Sequence, residues 1–166
     1  MRRIGVVVNP IAGMGGRVGL KGTDGKVAEA IERGAEPRAP GRAVDALAAL
    51  GERAAGLGEA VELLAWGGRM GAEEAREAGF DPVVVGGPER DDVGETSNED
   101  TREAVRAFVE RGVDLVLFVG GDGTAVDVAE TLADLDAGTP MLGVPAGVKV
   151  YSSVFAVTPR AAGRLA

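Results

Sequence analysis

Five consecutive residues, Gly120, Gly121, Asp122, Gly123 and Thr124, carry the pattern most open to a chemical reading. They join an apolar run ending at Val119 to an amphipathic one marked by Val126, Val128, Ala129 and Leu132. Glycines let a backbone approach a ligand closely and supply amide donors, and a helix starting near Thr124 adds a partial positive charge suited to phosphate. Asp122 is badly placed for simple anion binding. A carboxylate beside phosphates needs a task, such as holding Mg2+ through water or accepting a proton from an attacking hydroxyl. The competing reading is a tight strand-to-helix turn in which Asp122 only caps the helix. A second glycine-rich stretch, Asn9-Pro10-Ile11-Ala12-Gly13-Met14-Gly15-Gly16, follows the first apolar run and could bring further amides to the same sheet edge.

Two familiar nucleotide motifs fail on inspection. The phosphate loop of the Gly-x4-Gly-Lys-Ser/Thr type needs a hydroxyl residue after its lysine, and Lys21 is followed by Gly22. The dinucleotide fingerprint Gly-x-Gly-x-x-Gly breaks at its last position, which is Val126 after Gly121 and Gly123, and Val18 after Gly13 and Gly15. Other polar positions have two readings each. Lys149 either contacts a phosphate or is a solvated lysine, and Lys21 and Asp24 either order a phosphate loop or lie in a surface loop. Asp127 follows Asp122 by about one turn, as a second carboxylate on that face or, the preferred reading, as a solvent-facing helix acid. Trp66 and Tyr151 read as packing residues rather than base-stacking platforms.

The elements that would position these residues alternate. Apolar runs predict strands at 4–8, 61–66, 82–87, 113–120 and 141–146. Between them, helical spacing is read from Arg42 to about Ala55, over 71–79, from Ser97 to about Gly112, and after the glycine turn. Ser97-Asn98-Glu99-Asp100 resembles a capping box, and Thr158-Pro159 opens a last helix. Strands alternating with helices predict a three-layer α/β fold, a parallel sheet with helices on both faces and right-handed crossovers. Ligands of such sheets bind at the carboxyl ends of the strands.

Composition narrows the chemistry further. A chain of 166 residues suits one domain, and with 4% aromatic residues its core is built mainly from Val, Leu, Ile and Ala. There is no cysteine and no histidine, so thiolate chemistry, disulfides, histidine triads and histidine metal sites are excluded, leaving acid–base work to Asp, Glu, Lys or Tyr. A net charge of −8 argues against a nucleic-acid surface. No apolar run reaches the length of a membrane span, and the short run after Arg2 and Arg3 is too brief for a signal peptide, so a cytoplasmic protein is expected.

Four segments in order, NPIAGMGG at 9–16, RVGLKGTDG at 17–25, VGGDGT at 119–124 and GVPAGVKVYSSVFA at 143–156, make the chain resemble the ATP-NAD kinase family over essentially its whole length. Within that family it is most similar to the archaeal, acetoin-catabolism-protein-X-like branch. Gly-Gly-Asp-Gly-Thr alone is shared with diacylglycerol kinases, sphingosine kinases and phosphofructokinases. The resemblance implies an N-terminal domain of the NAD kinase and diacylglycerol kinase type that transfers a phosphoryl group from ATP or polyphosphate to the 2′-hydroxyl of NAD, with Mg2+. It makes Asp122 the catalytic carboxylate, and it assigns phosphate contacts to Gly120, Gly121, Gly123 and Thr124 and to the first glycine loop through Asn9, Gly13, Gly15 and Gly16. It also implies a second, β-rich domain with an Asn-Glu/Asp motif that helps hold NAD, which is expected to lie beyond these residues. The expected partners are small-molecule nucleotides and further copies of the chain in a homo-oligomer, without nucleic acid or membrane. A non-catalytic nucleotide-binding or regulatory module, and a lipid or sugar kinase sharing the glycine turn, are the alternatives.

Overall fold

The apolar runs become the strands of a single parallel sheet in a computed structural model, which describes residues 1–12, 38–88, 98–146, 155, 163, 165 and 166. In chain order the elements are β1 (Arg2–Val8), α1 (Ala39–Leu57), β2 (Val61–Trp66), a 3-10 turn at Gly68–Met70, α2 (Ala72–Glu77) and β3 (Val83–Gly86). They continue with α3 (Asn98–Glu110), β4 (Leu115–Gly120), α4 (Asp122–Asp134) and β5 (Met141–Pro145). The spatial order is β3-β2-β1-β4-β5, with every neighbouring pair parallel. The chain thus builds outward from β1 on one side and then crosses to the other, which places a topological switch point between β1 and β4.

Each face of the sheet has its own core. Ile4, Val6, Val8, Leu63, Leu117 and Val119 pack against α1 and Ala75 of α2. Val7, Leu64, Val116 and Phe118 pack against Ala104, Val105 and Phe108 of α3 and Ala125, Val128 and Leu132 of α4. Burial on both faces is why the central strands β1 and β4 read as continuous apolar runs rather than alternating ones, whereas Val83 and Val84 of the edge strand β3 are exposed. Gly5 is needed where α3 meets the central strand, because a Cβ there would lie 2.5 Å from Phe108 Cγ. Phe155 adds an isolated parallel bridge to Gly143 of β5 and sets its ring edge-on to Phe118, with centroids 5.2 Å apart.

Several boundaries differ from the sequence-based expectation, three of them at the starts of elements. β1 starts at Arg2 because Arg3 is tied into the sheet by its polar groups: its amide donates to Asp114 Oδ2 at 2.8 Å and its Nε to Glu62 Oε2 at 2.7 Å. α1 starts at Ala39 because Pro40 fits a first helical turn, where no amide donor is missed. α4 starts at Asp122 rather than near Thr124. The capping role read for Ser97 and the last helix start at Thr158-Pro159 lie outside the described residues. Among the described residues no helix is long and apolar enough to cross a membrane.

Candidate functional site

The two glycine-rich exits named from the sequence leave the sheet side by side, because β1 and β4 are neighbours paired from Ile4 with Leu115 to Val8 with Val119. Asn9 continues that ladder, its amide donating to Val119 O at 2.9 Å. Its side chain is used twice. Oδ1 accepts from the amide of Ile11 at 3.3 Å, closing an Asx turn, and Nδ2 donates to Thr124 Oγ1 at 3.1 Å. Ala12 N reaches back to Asn9 O at 3.2 Å, so the beginning of the first glycine loop is a defined turn. The Asn9–Thr124 bond therefore stitches the β1 exit to the first turn of α4, across the switch point.

On the β4 side, Gly120 is buried beneath that bond. A Cβ at Gly120 would collide with Thr124, at 2.6 Å from its Cβ and 2.9 Å from its Cγ2, so only glycine lets the helix start so close to the strand end. Gly121 is the extended N-cap residue and has no side chain to cap with, which leaves the first-turn amides of α4 uncovered by an N-cap side chain. Asp122 is the first helical residue, half-buried, and so is not the cap that the competing reading required. Gly123 is exposed and Thr124 is buried. The end of β5 joins the same edge, with Ala146 N donating to Gly120 O at 3.1 Å.

Asp127 is neither a second carboxylate of this site nor a solvent-facing acid. Five residues along a helix turn the side chain roughly 140° away from Asp122. It is 9% exposed and accepts a hydrogen bond from Arg102 Nη2 of α3 at 3.0 Å, while Arg102 also reaches Glu130 Oε2 at 2.7 Å. The hydrogen bond to Glu130 is the first cause holding the Arg102 guanidinium above its ordinary value, with Asp127 adding to it against desolvation. The trio docks α4 on α3. Trp66 is a packing residue, as read, buried over Gly86 of β3, and its Nε1 has no hydrogen-bond partner among the described residues.

Sequence reasoning passed over Glu74. Its side chain is 1% exposed, and its Oε2 accepts from the amide of Gly71 at 3.0 Å. Burial pushes its carboxyl above the ordinary value, against the lowering effects of backbone hydrogen bonds and Arg69. The signal was present as a carboxylate three residues after the N-cap, with glycine in place of the serine or threonine of a capping box.

Gly13, Gly15, Gly16, Lys21, Asp24, Lys149 and Tyr151 lie outside the described residues. A cavity of about 870 Å3 exists at the opposite edge, lined by Arg2, Gly58, Ala60, Asp114, Pro140 and Ala166. These residues belong to the amino ends of the strands, away from both glycine exits, and ligands of open α/β sheets bind at the carboxyl ends. Among the described residues no group of three or more acidic side chains converges to form a metal cage.

The pairing of a β1 exit with a Gly-Gly-Asp-Gly-Thr exit at the switch point coincides with a match over residues 4–166 to the ATP-NAD kinase N-terminal domain. The chain belongs to that family. No curated protein matches the sequence significantly. Membership gives this ATP-NAD kinase N-terminal domain a kinase-like, nucleotide-binding role, and the five-stranded α/β sheet is consistent with it.

Proposed function

We propose that this domain binds ATP, or polyphosphate, at the crevice between β1 and β4 and transfers the terminal phosphoryl group to the 2′-hydroxyl of NAD. The observation that carries this reading is the 3.1 Å bond from Asn9 Nδ2 to Thr124 Oγ1, which fixes the β1 exit against the helix turn that holds Asp122. In the reaction the bond between the terminal phosphorus and its bridging oxygen breaks and a bond from the 2′-oxygen to that phosphorus forms. Asp122 orients the hydroxyl and accepts its proton. The amides at the start of α4 take negative charge from the phosphates, and the turns hold donor and acceptor in line, which is where most of the rate of a phosphoryl transfer arises.

Mg2+ fits such a site. The ion keeps several waters and is usually bound through one or two carboxylates plus substrate phosphates rather than an all-protein cage, and the turn supplies a single carboxylate, Asp122. When bound it would neutralise phosphate charge. We assign the holding of NAD to the β-rich second domain that the family resemblance implies.

An acceptor screen tests the reading. With ATP and Mg2+, the domain is assayed for phosphorylation of NAD, diacylglycerol, sphingosine and a sugar phosphate, alone and joined to a β-rich NAD kinase domain. NADP formation is the expected product. Transfer to a lipid or sugar instead would replace NAD as acceptor, and nucleotide binding without transfer to any of them would make the domain a non-catalytic module.

A further inference from the structure

A third glycine-rich turn occupies the same edge of the sheet. β2 lies beside β1 on the side away from β4, and its exit, Gly67-Gly68-Arg69-Met70-Gly71, folds back onto the strands. The fold-back needs glycine twice: Gly68 has φ 63° and Gly71 has φ 140°, both in the region that side chains disfavour. A Cβ at Gly71 would lie 2.7 Å from Val6 O, so the turn is pressed against the central strand itself. Gly71 also bridges to Trp66, and its amide is held from the interior by the buried Glu74 carboxylate at 3.0 Å.

This braced turn carries a cation. Arg69 has a side chain 43% exposed, and its guanidinium lies 3.8 Å from Glu73 and 3.9 Å from Glu74. Both contacts exceed hydrogen-bond reach, so among the described residues its N–H donors serve no hydrogen bond. Arg3 and Arg102 differ, since each donates at 2.7 Å to a carboxylate. The contact to Glu73 joins two half-exposed groups and the contact to the buried Glu74 is longer still, so neither closes a hydrogen bond and a phosphate can compete for the guanidinium. Neither Asn9-Pro10-Ile11-Ala12 nor Gly120-Gly121-Asp122-Gly123-Thr124 contains a lysine or arginine, so these two turns offer phosphates amides but no full positive charge.

We propose that Arg69 is a phosphate-contacting residue of the nucleotide site, its guanidinium donating in a fork to a phosphate held across the β1 exit. The inference rests on the nucleotide-binding reading above. β2 is two strand spacings, about 10 Å, from β4, so a polyphosphate chain seated over β1 lies between Asp122 and Arg69. The fork geometry of arginine supplies the bidentate contact that a lysine cannot.

Calorimetric titration with ATP, tripolyphosphate and adenosine tests it on the wild type, Arg69→Gln and Arg69→Lys. Trp66, the one tryptophan of the chain, immediately precedes the turn, so its fluorescence reports ligand arrival there. Arg69→Gln is expected to weaken ATP and tripolyphosphate about 10- to 100-fold, the loss of a charge-assisted contact, while leaving adenosine unchanged. Arg69→Lys recovers part of the loss. Equal ATP affinity in the wild type and Arg69→Gln would overturn the inference and leave the nucleotide reading standing. An equal loss for adenosine would make Arg69 structural and overturn it as well. If the wild type binds neither ATP nor tripolyphosphate, both fall.

Discussion

Replacing Gly120 with alanine places a methyl group where the structure has none to spare. The new Cβ would lie 2.6 Å from Thr124 Cβ and 2.9 Å from its Cγ2, and closer still to Oγ1. Carbon atoms rest at about 3.5–4.0 Å, so roughly 1 Å must be found by moving one partner. Thr124 is a poor candidate to yield, being buried, β-branched and held through Oγ1 by Asn9. Either the first turn of α4 slides away from β4 or Thr124 changes rotamer and breaks that bond. Overpacking of this kind costs about 1–3 kcal/mol, which for a chain of this size lowers the melting temperature by roughly 2–12 °C. Urea unfolding of Gly120→Ala, Thr124→Ala and the double variant measures it, since Thr124→Ala removes two of the three crowding atoms. The double variant should recover at least about 0.5 kcal/mol relative to the sum of the singles. Gly120→Ala within about 0.5 kcal/mol of the wild type, or strict additivity, would refute the close packing of the turn.

Asn9→Ala should cost about 0.5–1.5 kcal/mol for the bond to Thr124 and weaken ATP binding as the β1 exit loosens; calorimetry showing unchanged affinity would remove Asn9 from the site. Glu74→Gln tests the buried carboxyl. Burial raises its value in the folded state, so the native protein binds that proton more tightly than the unfolded chain, and this contribution to wild-type stability is lost as pH rises from the ordinary carboxylate value through the raised one. Glutamine keeps an acceptor for Gly71 N and does not titrate, so denaturant unfolding between about pH 4 and 8 should show the variant gaining on the wild type with rising pH. The opposite trend would contradict burial as the dominant influence. Arg102→Ala should lower the unfolding midpoint by stripping Asp127 and Glu130 of their shared partner, whereas ATP affinity should change less than in Asn9→Ala; thermal melts and titrations compare the two.

Much of the fold was legible because a sheet covered on both faces writes its strands as apolar runs: Val61–Trp66 was read with its bounds as observed. The start of α4 was obscured because glycine is a weak helix former, and packing against β4 overrides that preference at Gly123. Strand order is invisible to local pattern, since it depends on which runs meet in space, and with it went the bond between Asn9 and Thr124, 115 residues apart. The burial of Asp127 was hidden for the same reason, its partner Arg102 standing on another helix. Glu74 was missed because the short helix it caps begins at a glycine rather than at a hydroxyl residue. The family motifs pointed to Asp122 and its glycines, and the glycine-rich stretch after β1 was expected at the same edge; the structure adds the contact that joins them, from Asn9 Nδ2 to Thr124 Oγ1.

The most direct measurement compares NADP formation by the wild type and Asp122→Asn, with ATP affinity determined on both proteins, each joined to a β-rich NAD-holding domain. Loss of turnover by about 100-fold or more with ATP binding retained is the expected result, because the variant keeps the shape of the turn and removes the carboxylate proposed to accept the proton. Turnover at the wild-type rate in Asp122→Asn would contradict a catalytic role for the carboxylate at the head of α4.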